Sequence, residues 1–378
     1  MPRLLSVSIL HRHGSRGPGA SELTPWSDDH PVKSQWKEHE KENLSSVGHM
    51  QCEVLGEWYV DRYIRSGAVD AEPCRIFWRC SKSDRAKESG DDFIVGFNRA
   101  MGAEVVGPDP SFYSVDADNY FRPWKVFKDK ADIIKNRQNT DESWQAKTEE
   151  NKDFLIDVFR TVGANESILG KLQKALWATT YLHAARECEL YWPEEEEERR
   201  ELSKIFPPEH ERRVTELALW VWEQRFLHSG FTEEMGGRMA VDILEHALSL
   251  EHSVNIFSGH DYTLLGTLCV LGVVKEFRVA MSFSAYILFE LWDSSPDGDG
   301  SGGPVVRVIL NPTPFKNSDG TASRSVQTWQ EVVLTEFSLP ELSRLMKQLR
   351  TQCDKMPMKA LKAESSKKEQ ETEIDMLS

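Results

Sequence analysis

The stretch from residue 4 to residue 18 constrains this chain more than any other. Leu4-Leu5-Ser6-Val7-Ser8-Ile9-Leu10 is a short apolar run dense enough for a buried strand, and it stops abruptly at His11-Arg12-His13-Gly14-Ser15-Arg16-Gly17-Pro18. Glycine and proline forbid the strand to continue. Two histidines and two arginines at the end of a buried element are costly unless something anionic sits beside them. A basic loop after an edge strand would be the plainer reading. Two later stretches repeat the same design and argue against it.

The first repeat is Arg75-Ile76-Phe77-Trp78-Arg79, which reads as a strand, followed by Cys80-Ser81-Lys82-Ser83 and a helix opening at Asp84-Arg85. Ser83 is a natural N-cap. Arg85 is less natural, because a cation in the first helical turn opposes the macrodipole unless it helps to hold an anion. The second repeat has Ser253-Val254-Asn255-Ile256-Phe257 as a strand, Ser258-Gly259 as a tight turn, and His260-Asp261 opening a nearly all-apolar helix. Taken singly, Arg85 could face solvent, Asp261 could be an ordinary N-cap and His260 a loop residue.

Together the three junctions say more. In an open α/β sheet, strand C-termini and helix N-termini gather at one crevice, the usual ligand site. Arg12, Arg16 and Arg85 would supply three planar forks suited to phosphate oxygens. His13 could meet the same phosphorus, and Asp261 is a carboxyl placed to donate a proton. That is a set sufficient for phosphoryl transfer with no metal and no cofactor.

The remainder divides by texture. A helix with Val47, Met50, Val54, Leu55, Trp58 and Tyr59 at helical spacing is expected from Ser46. From about residue 107 to 236 strand-like runs are few, and amphipathic helices are expected at 151–162, 168–189 and 208–226. The run Glu194-Glu195-Glu196-Glu197-Glu198 reads as a solvated face or loop. The expected fold is therefore α/β, a mostly parallel sheet flanked by helices, with residues 1–107 and 236–352 as catalytic core and 108–235 as an inserted α-helical cap. Strands at 285–292 and 305–310 enclose a Gly/Asp-rich hairpin loop, and residues 353–378 read as a disordered tail.

Charge and cysteines narrow the setting. A formal net charge of −15 over 378 residues argues against general nucleic-acid binding and against attraction to an anionic membrane. It does not exclude an anionic substrate, since a local arginine cluster can reverse the field inside a cleft. No run of about 20 apolar residues is present to span a membrane, and the apolar run at 4–10 lacks a secretory cleavage site. Cysteines 52, 74, 80, 188, 269 and 353 show no zinc-ligand spacing, so a reduced, cytoplasmic protein is expected.

These residues also carry a family resemblance. Arg12-His13-Gly14-Ser15-Arg16-Gly17-Pro18 resembles the RHGxRxP motif of the histidine acid phosphatases, and His260-Asp261 their distal HD motif. Leu44-Ser45-Ser46-Val47-Gly48 with Gln51, Leu55 and Gly56, the Arg79 to Arg85 segment, and Gly236-Gly237 extend the likeness over most of residues 4–292. Arg16 and Pro18 favour the phosphatase branch over the mutase branch, where Thr and Asn are typical. The resemblance implies a phosphoglycerate mutase-like core and an acid phosphatase acting on small phosphate monoesters. His13 would be the nucleophile that forms a phosphohistidine and Asp261 the general acid; Arg12, Arg16, Arg85 and His260 would bind the phosphoryl oxygens. It also implies an acidic optimum. Disulfides of secreted members would use positions near Cys188 and Cys353, but their partners read as Val126 and Tyr286 here, so those bridges are expected to be absent. Competing readings are a phosphate-ester binding or scaffold protein that keeps the fold without turnover, a phosphotransferase, and a phytase or lipid-phosphate-selective phosphatase.

Overall fold

A computed structural model of the chain describes residues 2–69, 76–104, 120–123, 127–193, 200–275, 278–293 and 303–354. The acidic run at 194–198, the insertion at 294–302, Cys74, Val126 and the tail beyond 354 lie outside the described residues.

The N-terminal apolar run forms β1 (Arg3–Arg12), and the two repeats of its design form β2 (Ile76–Cys80) and β3 (Val254–Gly259). These three strands are parallel neighbours, with β3 in the middle. The other side of β1 continues into β4 (Tyr286–Asp293), β5 (Pro304–Asn311) and β6 (Val332–Ser338), giving the order β2-β3-β1-β4-β5-β6. The pairs β1–β4, β4–β5 and β5–β6 are all antiparallel. The mostly parallel sheet expected from the sequence is thus corrected: two pairs are parallel and three antiparallel. The reason is connectivity. Parallel neighbours need a long crossover, which the helices after β1 and β2 provide, whereas β4 to β6 follow one another as a meander.

Helices cover both faces. On one lie α1 (Ser46–Val60) and α2 (Asp84–Met101), whose Leu55, Tyr59, Phe93 and Phe97 pack on Val7, Ile9, Trp78 and Ile256. The sequence between β2 and β3 contributes α3 (Lys128–Thr140), α4 (Glu142–Glu150), α5 (Lys152–Thr161), α6 (Leu172–Leu190) and α7 (Pro208–Phe226). It ends in α8 (Thr232–Ser249), which with α9 (Asp261–Val270) covers the second face through Met239, Ile243, Leu264 and Leu268 against Leu10, Phe257 and Phe289. The C-terminal α10 (Leu339–Asp354) joins that layer through Leu342 and Met346. Two apolar layers on a strand with alternating side chains explain why β1 reads as apolar nearly throughout. Its Ser6 and Ser8 are buried because each finds a partner, Ser6 Oγ donating to the Ala247 carbonyl at 2.8 Å and Ser8 Oγ accepting from Asn255 at 3.1 Å.

The cysteines at 52, 80, 188 and 269 are buried and form no disulfide, and Tyr286 spends its hydroxyl on Glu331 and Asn311. No described helix is long and apolar enough to cross a membrane.

Candidate active site

The three parallel strands end level with one another, Arg12 opposite Gly259 and Ser258 opposite Cys80. β3 continues through Ser258-Gly259 with no separate tight turn, and α9 begins at once: His260 is its N-cap and Asp261 its first helical residue. Beyond Arg12 the chain is still pinned on both sides, the His13 N–H donating to the Gly259 carbonyl at 2.9 Å and the His13 carbonyl accepting from Ser284 at 3.1 Å. It then presses against the start of α1. A Cβ on Gly14 would overlap the Gly48 carbonyl, and one on Gly48 would overlap the Ser15 carbonyl, so two glycines are needed for that approach. Gly14 N–H donates to Ser89 Oγ on α2 at 3.0 Å and Ser15 N–H to Gln51 Oε1 on α1 at 2.9 Å, which ties the loop to both helices.

His13 is 2% exposed. Its Nδ1 lies 2.9 Å from the Gly14 carbonyl. A carbonyl only accepts, so Nδ1 carries the hydrogen and Nε2 keeps its lone pair. Burial, reinforced by Arg85, Arg12 and Arg16, holds the imidazole well below the usual histidine range and therefore neutral. His260 lies with its ring centroid 5.5 Å from that of His13 and is held neutral by burial and by Arg85, Arg122 and Arg16. Its Nε2 is 3.0 Å from Ser81 Oγ and 3.4 Å from Ser83 Oγ. Ser83 stands at the N-cap of α2 as the sequence suggests, but its side chain makes no capping bond.

Each site arginine is braced by a carboxylate. Arg12 Nη1 donates to Glu187 Oε2 at 2.9 Å and to the Met281 carbonyl at 2.6 Å, and its guanidinium stands 4.2 Å over the Phe283 ring. Arg12 Nη2 approaches Asp261 Oδ2 at 3.5 Å. Burial works against this charge, but Glu187 and Asp261 outweigh it and raise the guanidinium above its ordinary range. Glu22 grips the end of Arg16 with both oxygens, at 2.9 and 2.7 Å. That pairing likewise overcomes burial, raising Arg16 and lowering Glu22. Arg85 has a longer contact, 3.3 Å from Nη1 to Glu42 Oε2, and burial together with Arg16 lowers it. The buried Nε atoms of Arg12, Arg16 and Arg85, and Nδ1 of His260, have no hydrogen-bond partner among the described residues.

His13, Arg16, Arg85, His260 and Asp261 face one cavity of about 310 Å³. Arg12 joins them through Asp261, so all six residues singled out in the sequence are brought together. What sequence reasoning missed are the braces: Glu22, Glu42, Glu187 and Ser81. None sits in a recognisable motif, and Glu187 reaches Arg12 from 175 positions away. Among the described residues no cluster of His, Cys, Asp or Glu is arranged to hold a metal ion.

No protein-family model and no curated protein matches the chain. Its backbone, however, superposes on solved structures. The phytase of Hafnia alvei in its apo form has a TM-score of 0.62 at 14% identity, covering 92% of this chain and 97% of that one. The phytase of Klebsiella sp. ASR1 gives 0.63 at 12% identity, covering 92% and 95%. The fold is that of the histidine acid phosphatases. The multiple inositol polyphosphate phosphatase of Bifidobacterium longum, in complex with phosphate, shares it more distantly, with a TM-score of 0.51 at 13% identity over 91% and 92%. The motif residues stand at or just beyond the ends of β1 and β3 and, for Arg85, in the first turn of the helix after β2.

Proposed function

We propose that this chain hydrolyses phosphate monoesters through a phosphohistidine on His13. The observation that carries the reading is the convergence of Arg16, Arg85 and His260 on the cavity of a histidine held neutral, with Arg12 joined through Asp261; the buried Nε of each of these arginines and Nδ1 of His260 has no partner among the described residues. Buried N–H groups of this kind are costly unless an acceptor meets them, and a phosphoryl group brings several oxygens at once. Glu22 occupies the end of the Arg16 fork, and the Nε of Arg16 stays without a partner among the described residues. A Ser81 hydroxyl that donates to Nε2 of His260 would leave Nδ1 of His260 as a donor as well.

In the first step His13 Nε2 attacks phosphorus, the P–N bond forms as the ester P–O bond breaks, and Asp261 gives its proton to the leaving alcohol. In the second, water attacks the phosphohistidine, Asp261 takes the proton, and phosphate leaves. The arginines stabilise the charge that spreads over the equatorial oxygens. The helices from α3 to α7 would form the cap that shapes the leaving-group side. The buried cysteines that form no disulfide support a reducing compartment.

The test is hydrolysis of an aryl phosphate in the presence of a chelator, wild type beside His13→Ala and Asp261→Asn. Loss of turnover in His13→Ala is expected, with Asp261→Asn slowed more on an alkyl ester, whose leaving group needs the proton, than on a nitrophenyl ester. Wild-type turnover in His13→Ala would refute the nucleophile. Phosphate binding without any wild-type turnover would instead favour a binding protein.

A further inference from the structure

The cleft contains an unusual amount of negative charge for a site that takes an anion. Glu22 and Glu42 line it beside Arg16, Arg85 and Arg225, with Asp261 as the proton donor of the proposed reaction, and the two histidines contribute no charge because both are held neutral. Arg16 is already paired with Glu22 through two bonds, and Arg85 meets Glu42. Among the described lining residues there is no lysine. Its lining also holds the aromatic residues Trp177, Tyr181 and Trp222, and Arg225 lies 5.0 Å from the Trp177 ring. One phosphoryl group can be met by the Nε donors described above. A second or third on the same molecule would face carboxylates and ring faces.

Glu42 is the exposed member of this set, its side chain 53% accessible at the rim. Its position is built into the chain. Residue 42 adopts φ 64°, a left-handed conformation that a glutamate rarely takes, and its N–H donates to the Gly17 carbonyl at 3.3 Å. Its carboxylate packs against Gly19, where a Cβ would come within 2.8 Å of Oε1. The loop that carries Arg16 and the residue that faces Arg85 are therefore held together, with Glu42 turned toward the cleft.

We infer that Glu42 makes the cleft selective for esters bearing a single phosphoryl group and rejects polyphosphorylated ones, although phytases share the fold. This rests on the reading of the cleft as a phosphate-ester site. Discrimination here comes from a repulsive element as much as from the attractive arginines. Because Glu42 is at the rim, its effect acts over several ångströms of water and is screened by salt, so about a tenfold influence on a polyanion is expected at low ionic strength.

The experiment titrates wild type, Glu42→Gln and Glu42→Lys calorimetrically with inorganic phosphate and with inositol hexakissulphate, which has no phosphoester to cleave, at low and high salt. The wild type should bind phosphate and bind the hexakissulphate at least tenfold more weakly. In Glu42→Gln the hexakissulphate should tighten by about tenfold and phosphate by about two- to threefold, with a larger gain in Glu42→Lys and a smaller one at high salt. Hexakissulphate binding to wild type as tightly as phosphate, or a gap unchanged in both variants, would overturn the inference. Binding follows the selectivity without turnover: the expected pattern in a protein that fails to hydrolyse an aryl phosphate would overturn the proposed hydrolysis and support the selectivity. Failure of wild type to bind phosphate would overturn both.

Discussion

Replacing His11 with phenylalanine should remove one measurable share of the acid sensitivity of this fold. His11 is fully buried on β1, stacked on Phe93 of α2 with ring centroids 5.3 Å apart. Its Nδ1 donates to the Arg12 carbonyl at 3.0 Å, and its Nε2 has no partner. Burial lowers its pKa from 6.5 to about 4, with the bond to Arg12 opposing. The sign follows from proton counts. As pH falls through 6.5 the unfolded chain takes up a proton that the native state refuses until about pH 4, so stability is lost across that window. At about pH 4.5 the loss from this one residue is about 2.5 kcal/mol relative to neutral pH. Urea unfolding of wild type and His11→Phe at about pH 7.5 and about pH 4.5 isolates it, because the constant cost of losing the Nδ1 bond, about 1 kcal/mol, cancels in the difference between the two pH values. The other buried histidines cancel too, being present in both proteins. Wild type should lose about 2.5 kcal/mol more than the variant on acidification. Parallel losses would refute the assignment of His11 as a buried neutral group. The consequence bears on the proposed function, since the burial that lowers the pKa of His13, and would keep the proposed nucleophile unprotonated in acid, is the same effect, and both residues tax acid stability.

Two further perturbations address the support of the site. Glu187→Ala would take from the buried Arg12 the nearer of its two carboxylates, leaving Asp261 at 3.5 Å, and a loss of up to about 3–5 kcal/mol is expected in chemical unfolding; adding Arg12→Ala should recover part of it, whereas additive losses would mean that the pair is not coupled. Gly48→Ala would push a methyl group into the Ser15 carbonyl. A cost of about 1–3 kcal/mol, with weaker phosphate binding measured by calorimetry, is expected because the loop carrying Arg16 must shift, and unchanged binding would show that the loop accommodates the methyl.

The agreement between motif reading and structure has a local cause. After β1 the motif follows the strand directly, but α1 begins only at Ser46. The junctions after β2 and β3 each compress a strand, a few polar residues and a helix start into about a dozen positions, and a change of hydrophobic period marks them. The same holds for α5, α6 and α7, whose bounds (Lys152–Thr161, Leu172–Leu190, Pro208–Phe226) fall within a few residues of the amphipathic pattern. Local pattern did not extend to β6 and α10. Val332 and Val333 of that edge strand are more than half exposed, so no alternation sets it apart.

What the sequence determined by itself is therefore which groups make up the candidate site, His13 and Asp261 with Arg12, Arg16, Arg85 and His260, at or near the ends of elements whose formation depends on near neighbours. What only the tertiary structure decided is how those groups are held and charged. Strand direction beyond β1 depends on which edge a hairpin joins, and that produced three antiparallel pairs in place of a mostly parallel sheet. Glu187 is a glutamate like any other on an amphipathic helix until α6 sets it beside Arg12, and Glu42 is a loop residue until its backbone turns it toward Arg85. A carboxylate's effect falls off with distance and grows with burial, and both are properties of the folded chain.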